Sequence, residues 1–142
     1  MRTSGRQPHK MTVKKITIEL HGKINHATLE YDRGDIALTV KIPGKSEKTY
    51  TDLDYYTCLG KVRQNFPNIK FLCKGSKINV YPSRMCSQMA SGLVAYEVSW
   101  GKAAGRENIV QIFDYEDKNL VTDINIQLDY HKRWLLSLHE DS

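Results

Sequence analysis

The chain has only three cysteines, Cys58, Cys73 and Cys86, and no two of them stand in a CxxC spacing. An odd count without that spacing argues against a disulfide framework and against a structural zinc site, since both need partners in pairs. Buried free thiols are expected instead. Cys86, near the start of an expected helix, is the one whose thiol such a position would activate. Long apolar runs are also missing, and nothing approaches the roughly 20 residues that span a bilayer. In the N-terminal MRTSGRQPHK the basic residues are followed by no apolar segment, so it does not read as a secretory signal. The expected location is the cytoplasm, with no membrane partner.

Motifs that carry chemistry are equally scarce. Neither HxxxH nor HExxH occurs, and no serine sits in GxSxG. GKAAGRE (Gly101–Glu107) lacks the GK[ST] ending of a phosphate loop, and no long helix follows it. His21 and His26 lie five apart across a turn, with Asp32 and Asp35 further on, a spacing that arises by chance. Ser83, Ser87 and Cys86 are nucleophile types, and His21, His26, His131 and His139 are base types, but nothing in their order brings a pair together. No catalytic residue, metal or cofactor is expected.

What the chain does have is ordinary globular composition, with 40% apolar and 26% charged residues. Its 142 residues suit one core. We expect a disordered tail over 1–10 and a single domain over 11–142. Net charge is +5 and unevenly spread. Residues 1–74 hold 14 Lys/Arg against 7 Asp/Glu, whereas 75–142 hold 7 against 9. The basic half could attract nucleic acid or an acidic partner, through Lys14, Lys15, Lys23, Arg33 and Lys41. Its first three expected strands contain one aromatic, Tyr31, which is poor provision for base stacking.

Periodicity outlines the elements. Thr12–Leu20 places Ile16, Ile18 and Leu20 on one face, and Asp35–Pro43 does the same with Ile36, Leu38, Val40 and Ile42. With Asn25–Asp32 between them, and Arg33-Gly34 as a tight turn, they predict a three-stranded antiparallel meander. Pro43–Tyr50 reads as a loop. Tyr55, Leu59, Val62 and Phe66 predict a helix starting near Thr51-Asp52 and stopped by Pro67. Asn68–Gly75 and Ser76–Pro82 read as two strands of a hairpin turning at Gly75-Ser76. Ser83 is an expected N-cap for a short helix to Ala90, with Met85 and Met89 on one face and packed into the core. Leu93–Gly101 predicts a strand, Asn108–Tyr115 a short strand or a helical turn leading into a strand-like end, and Glu116–Asn119 an exposed acidic loop. Thr122 is an expected N-cap for a final helix whose stripe is Ile124, Leu128, His131, Leu135 and Leu138. This order predicts an α+β domain, mainly antiparallel sheet with about three helices packed on it.

Surface chemistry supplies the candidate binding residues. Tyr55 and Tyr56, beside Asp52 and Asp54, offer contact area with a polar handle, or else pack half-buried on their helix. Asp114, Glu116 and Asp117 form either a solvated turn or a patch for a basic partner. Arg84 has no structural task in the strand–helix–strand corner around it.

The stretch FLCKGSKINVYPSRMCSQMASGLVAYEV, then ENIVQIFDY and a closing helix with Q…HKRWLLSL, resembles a family of small bacterial proteins. The residues that carry the resemblance are Cys73, Gly75, Val80, Tyr81, Pro82, Ser83, Met85, Met89, Gly92, Ala95, Tyr96, Ile112, Phe113, Asp114, Gln127, Trp134 and Leu135, roughly the C-terminal half. Ala90-Ser91-Gly92 stands where that pattern is richer in glycine, and Arg84 where it is often small. Proteins of this kind are similar to immunity proteins of contact-dependent growth inhibition and related polymorphic toxin systems. The resemblance implies a non-enzymatic protein that binds and neutralises a cognate bacterial toxin domain. The inhibitors of basic nuclease toxins are often acidic. In this basic chain either the acidic C-terminal patch makes the contact or the toxin is not strongly basic. A basic nucleic-acid-binding or regulatory protein is the alternative.

Overall fold

The computed structural model describes residues 11–32 and 34–139. The tail expected over 1–10, and Arg33 of the expected turn, lie outside the described residues.

The expected α+β class is what the chain adopts, with antiparallel pairing throughout its named strands. Strand β1 (Thr12–Leu20) pairs with β2 (Lys23–Tyr31) along its whole length, from Thr12↔Tyr31 to Leu20↔Lys23. Two positive-φ residues, His21 (53°) and Gly22 (76°), make the turn, as the twist of a two-residue hairpin requires. β2 pairs with β3 (Leu38–Lys41), and β3 with β4 (Lys48–Tyr50). β4 occupies the end of the segment read as a loop, because only Tyr50 of its three residues is buried and three residues carry too little alternation to read. β5 (Ile69–Leu72) pairs with the other edge of β1, giving the order β4-β3-β2-β1-β5.

One face of this sheet is the core. Register puts Ile16 beside Ala27, Leu29 beside Val40, Leu38 beside Tyr50 and Ile18 beside Phe71, all buried. Helix α1 (Tyr55–Asn65) covers that face with Tyr55, Tyr56, Leu59 and Val62. It begins later than expected: Asp54 is the N-cap, accepting from Thr57 N at 2.8 Å, while Thr57 Oγ1 accepts from Asp54 N in return. Phe66 and Pro67 end it as expected.

The hairpin expected at Gly75-Ser76 does not form. Lys74–Ser76 is a single 3-10 turn that carries the chain from the first sheet to a second one, ordered β6 (Val80–Tyr81), β7 (Val94–Glu97), β8 (Ile109–Gln111). Gly75 is needed there for close approach and not for turn geometry. A Cβ on it would stand 2.6 Å from Leu59 Cδ2 and 3.1 Å from Ile112 Cβ. Its N–H donates to Ile112 O and that of Lys74 to Asp114 O, each at 2.8 Å, which ties the two sheets together.

α2 (Arg84–Met89) starts at Ser83, whose Oγ accepts from Cys86 N at 3.0 Å as expected. Its methionines do not pack inward: Met85 is 61% and Met89 80% exposed, since Cys86 is the position that faces the core. α3 (Ile124–Ser137) is capped by Asp123, one residue after the expected Thr122. Its buried residues are Gln127, Trp134 and Ser137, His131 beside them is half-buried, and Leu135 is 45% exposed. Polar residues therefore replace part of the leucine stripe: Gln127 and Ser137 are hydrogen-bonded, and His131 stacks on Tyr81.

Candidate functional site

The expected binding residues separate into three environments. Tyr55 and Tyr56 are core residues, 0% and 1% exposed, and are not surface anchors. Tyr55 Oη donates to Asp32 O and to Asp35 O, and Tyr56 Oη donates to Val80 O at 2.8 Å. Burial raises the pKa of both phenols, so they stay neutral. They fix the β2–β3 connection and β6 to α1.

Glu116, expected in an exposed loop, is 9% exposed and sits in a square of ion pairs. Lys74 Nζ reaches Glu97 at 2.8 Å and Glu116 at 3.0 Å, and Lys77 Nζ reaches both at 2.8 Å. Glu116 Oε2 also accepts from the backbone N–H groups of Asp117 and Lys118. The Lys77 ammonium, with the Lys118 amide and Lys74, holds the Glu116 carboxyl down at about 2 against the cost of burial. Burial pushes Glu97 the other way, but Lys74 and Lys77 outweigh it and its pKa is lowered. Asp114 and Asp117 are exposed, so the acidic patch keeps two of its three expected members.

Arg84 is exposed at the first turn of α2 and enters no ion pair among the described residues. It stands on a ridge between two concave surfaces. On one side a groove of about 910 Å³ runs between the start of α1, α2 and the start of α3, over Tyr56, Tyr81, Ile124 and Leu128. Its wall is held by Ser87 Oγ, which donates to Asp54 Oδ2 at 2.6 Å. On the other side an apolar hollow of about 470 Å³ is lined by Tyr96, Val98, Trp134, Leu135 and Leu138. Tyr81, Ser83 and Arg84 border both. Tyr81 stacks on His131 at 4.4 Å, and His131 lies 5.3 Å from Trp134, so an aromatic ladder forms the floor under the ridge. Burial lowers the His131 pKa, which keeps that ring neutral at neutral pH. None of Asp114, Glu116 or Asp117 lines the groove.

All three thiols are free and buried. Cys58 Sγ donates to Tyr50 O, and burial pushes its thiol up to about 11; burial raises Cys73 too. Cys86 is 7% exposed under α2. His21 and His26 are exposed, and among the described residues no group of three or more His, Cys, Asp and Glu is placed to hold a metal. No helix among them is long and apolar enough to cross a membrane.

The outward face of the larger sheet bears on nucleic acid. It presents Lys15, Lys41 and Lys70 together with Glu19 and Glu30, and Lys41 pairs with Glu30 at 2.9 Å. Tyr31 is 5% exposed on the inner face. The face thus mixes charge and presents none of the aromatics that stack bases.

Sequence reading missed Arg63. It falls seven residues after Tyr56 and four after Leu59, on the buried side of α1, and is 2% exposed. A cation in an apolar stripe was the signal. Its partner Gln127 occupies the matching place on α3, in line with His131 and Trp134.

The residues behind the family resemblance mostly build the fold. Cys73, Gly75, Val80, Ala95, Ile112, Phe113, Gln127 and Trp134 are all buried. No protein-family model matches the chain, and no curated protein matches it.

Proposed function

We propose that this domain is an immunity-type protein that binds the toxic domain of a cognate bacterial toxin and neutralises it, using the ridge at α2 as its contact face. One observation carries the reading. Arg84 is exposed with no carboxylate partner among the described residues, beside a groove whose rim includes Leu53 (83% exposed), and the same short helix carries the exposed Met85 (61%) and Met89 (80%) on another side. Arginine and methionine are enriched at protein interfaces, and methionine adapts to irregular surfaces. An exposed arginine between hollows is the shape of an anchor. Because Lys74 and Lys77 neutralise Glu116, the acidic patch is the weaker contact surface, and the partner best suited to this face brings its own carboxylate.

The test is co-expression with a candidate toxin domain, a toxin gene immediately upstream being the first to try. The wild type should restore growth and co-purify in a 1:1 complex. Arg84→Glu, and the pair Met85→Asp with Met89→Asp, should lose both while melting like the wild type. A wild-type chain that fails to protect, and is instead retained on DNA or RNA in a salt-dependent way, would move the assignment to nucleic-acid binding.

A further inference from the structure

Arg63 is the least expected charge in the molecule. Its side chain is 2% exposed, and its guanidinium is protonated at any physiological pH. Among the described residues it has no ion pair. Nη1 donates to Gly75 O at 2.7 Å and Nη2 to Gln127 Oε1 at 2.5 Å, both neutral acceptors. Nε is buried with no acceptor. Asp123 acts on it only through space. Burying a charge without a counter-charge costs several kcal/mol, and native proteins normally offset that cost with a paired ion.

A cavity of about 300 Å³ lies against this side chain, between β5 and the segment leading into α3. Its other polar walls are Lys70, Ser76, Asn119 and Thr122, with Asp117 as the one carboxylate. Lys70 enters no ion pair among the described residues either. Ser76 is 1% exposed, with its hydroxyl 3.7 Å from Cys73 Sγ. Two cations, two hydroxyl-bearing residues and an amide line a hollow at the edge of β5 that has one carboxylate in its wall.

We propose that this cavity binds a small tetrahedral oxyanion of the phosphate or sulfate class, with Arg63 as its buried counter-charge and Lys70 as the cation at its wall. The Arg63 Nε–H, left without a protein acceptor, is the donor such an anion would take, and the lining hydroxyls supply further hydrogen bonds. The volume leaves room for the anion with part of its hydration. A bound anion would also cross-link β5 to the approach to α3. The site is independent of the ridge at Arg84, so it stands or fails separately from the toxin-binding reading.

The experiment is a titration of the full chain with inorganic phosphate at constant ionic strength in chloride, read by calorimetry and by ³¹P line broadening. Saturable 1:1 binding that sulfate displaces is expected. The melting temperature should rise with the logarithm of phosphate concentration above Kd, by about 3–6 °C at tenfold excess. Arg63→Met should weaken binding at least about tenfold, the loss of a charge-assisted hydrogen-bond set. Should that variant not fold, Lys70→Met decides, with an expected loss of about two- to fivefold. Absence of saturable binding overturns the site. So does a melting temperature that climbs in proportion to phosphate concentration and equally in Lys70→Met, which is the general salting effect of these anions. Wild-type affinity in Lys70→Met together with wild-type affinity in any folded Arg63→Met places the anion elsewhere and overturns it as well.

Discussion

Two groups of inward-facing charges lie a few residues apart, and they are solved in opposite ways. At Lys74, Lys77, Glu97 and Glu116 every ammonium meets two carboxylates and each carboxylate meets two ammoniums. At Arg63 a cation more deeply buried than any of these has only a carbonyl and an amide oxygen. The square is closed and self-neutral. The guanidinium is held in place by geometry while its charge is left over. Hydrogen bonds to neutral oxygens satisfy direction, whereas only an opposite charge offsets lost hydration. A leftover charge beside a cavity therefore reads as a place for an ion, and a closed square reads as a rivet.

The comparison can be broken from either side. Arg63→Ala has the largest expected effect on stability, about 3 kcal/mol, because it opens a cavity and removes the donor to Gln127. Urea unfolding measures it, and a cost below about 1 kcal/mol would mean the guanidinium holds nothing together. Glu116→Gln comes next at about 2 kcal/mol, since it leaves Lys74 and Lys77 sharing one carboxylate.

Acid reaches the square by the same route. The folded pKa of Glu116 is depressed from 4.5 to about 2, so its contribution is complete above pH 4.5 and is lost as pH falls towards 2. Glu97 is shifted in the same direction. The urea midpoint should drop over that window, and Glu116→Gln should flatten the drop. At the alkaline end the sign reverses. Glu97 raises the Lys74 pKa, and Lys77 is raised by Glu116 and Glu97 although burial opposes it. Their contribution holds below 10.5 and fades as pH rises beyond it. Arg84→Ala is the smallest change, within about 0.5 kcal/mol, because that charge already sits in water. An equal loss at Arg84 and Glu116 would erase the distinction between exposed and riveted charge.

Much of the fold was legible because local spacing reports which side of an element is apolar. The alternation of Ile16, Ile18 and Leu20 and the helical spacing of Tyr55, Leu59 and Val62 each name a buried face, and those faces are buried. Ser83 was legible as a cap because the bond it makes is three residues away. Arg84 was legible as a residue without a structural task, and it lies exposed. The failures share one cause. Gly75-Ser76 between two alternating runs looks like a hairpin, yet the runs belong to different sheets and the glycine answers to Leu59 and Ile112. Met85 and Met89 at helical spacing look like core, yet α2 is too short to bury more than Cys86.

By itself, then, the sequence determined the class of the fold, the inner face of the larger sheet and of α1, and the Ser83 cap of α2. All of these depend on residues within about one or two turns of each other. Tertiary structure alone decided which charges meet. Lys74 finds Glu116 42 residues on, and Arg63 finds Gln127 64 residues on. The physical reason is that periodicity says which side of an element faces inward and is silent on what it faces. Whether an inward charge closes a square or is left beside a cavity depends on how the chain returns.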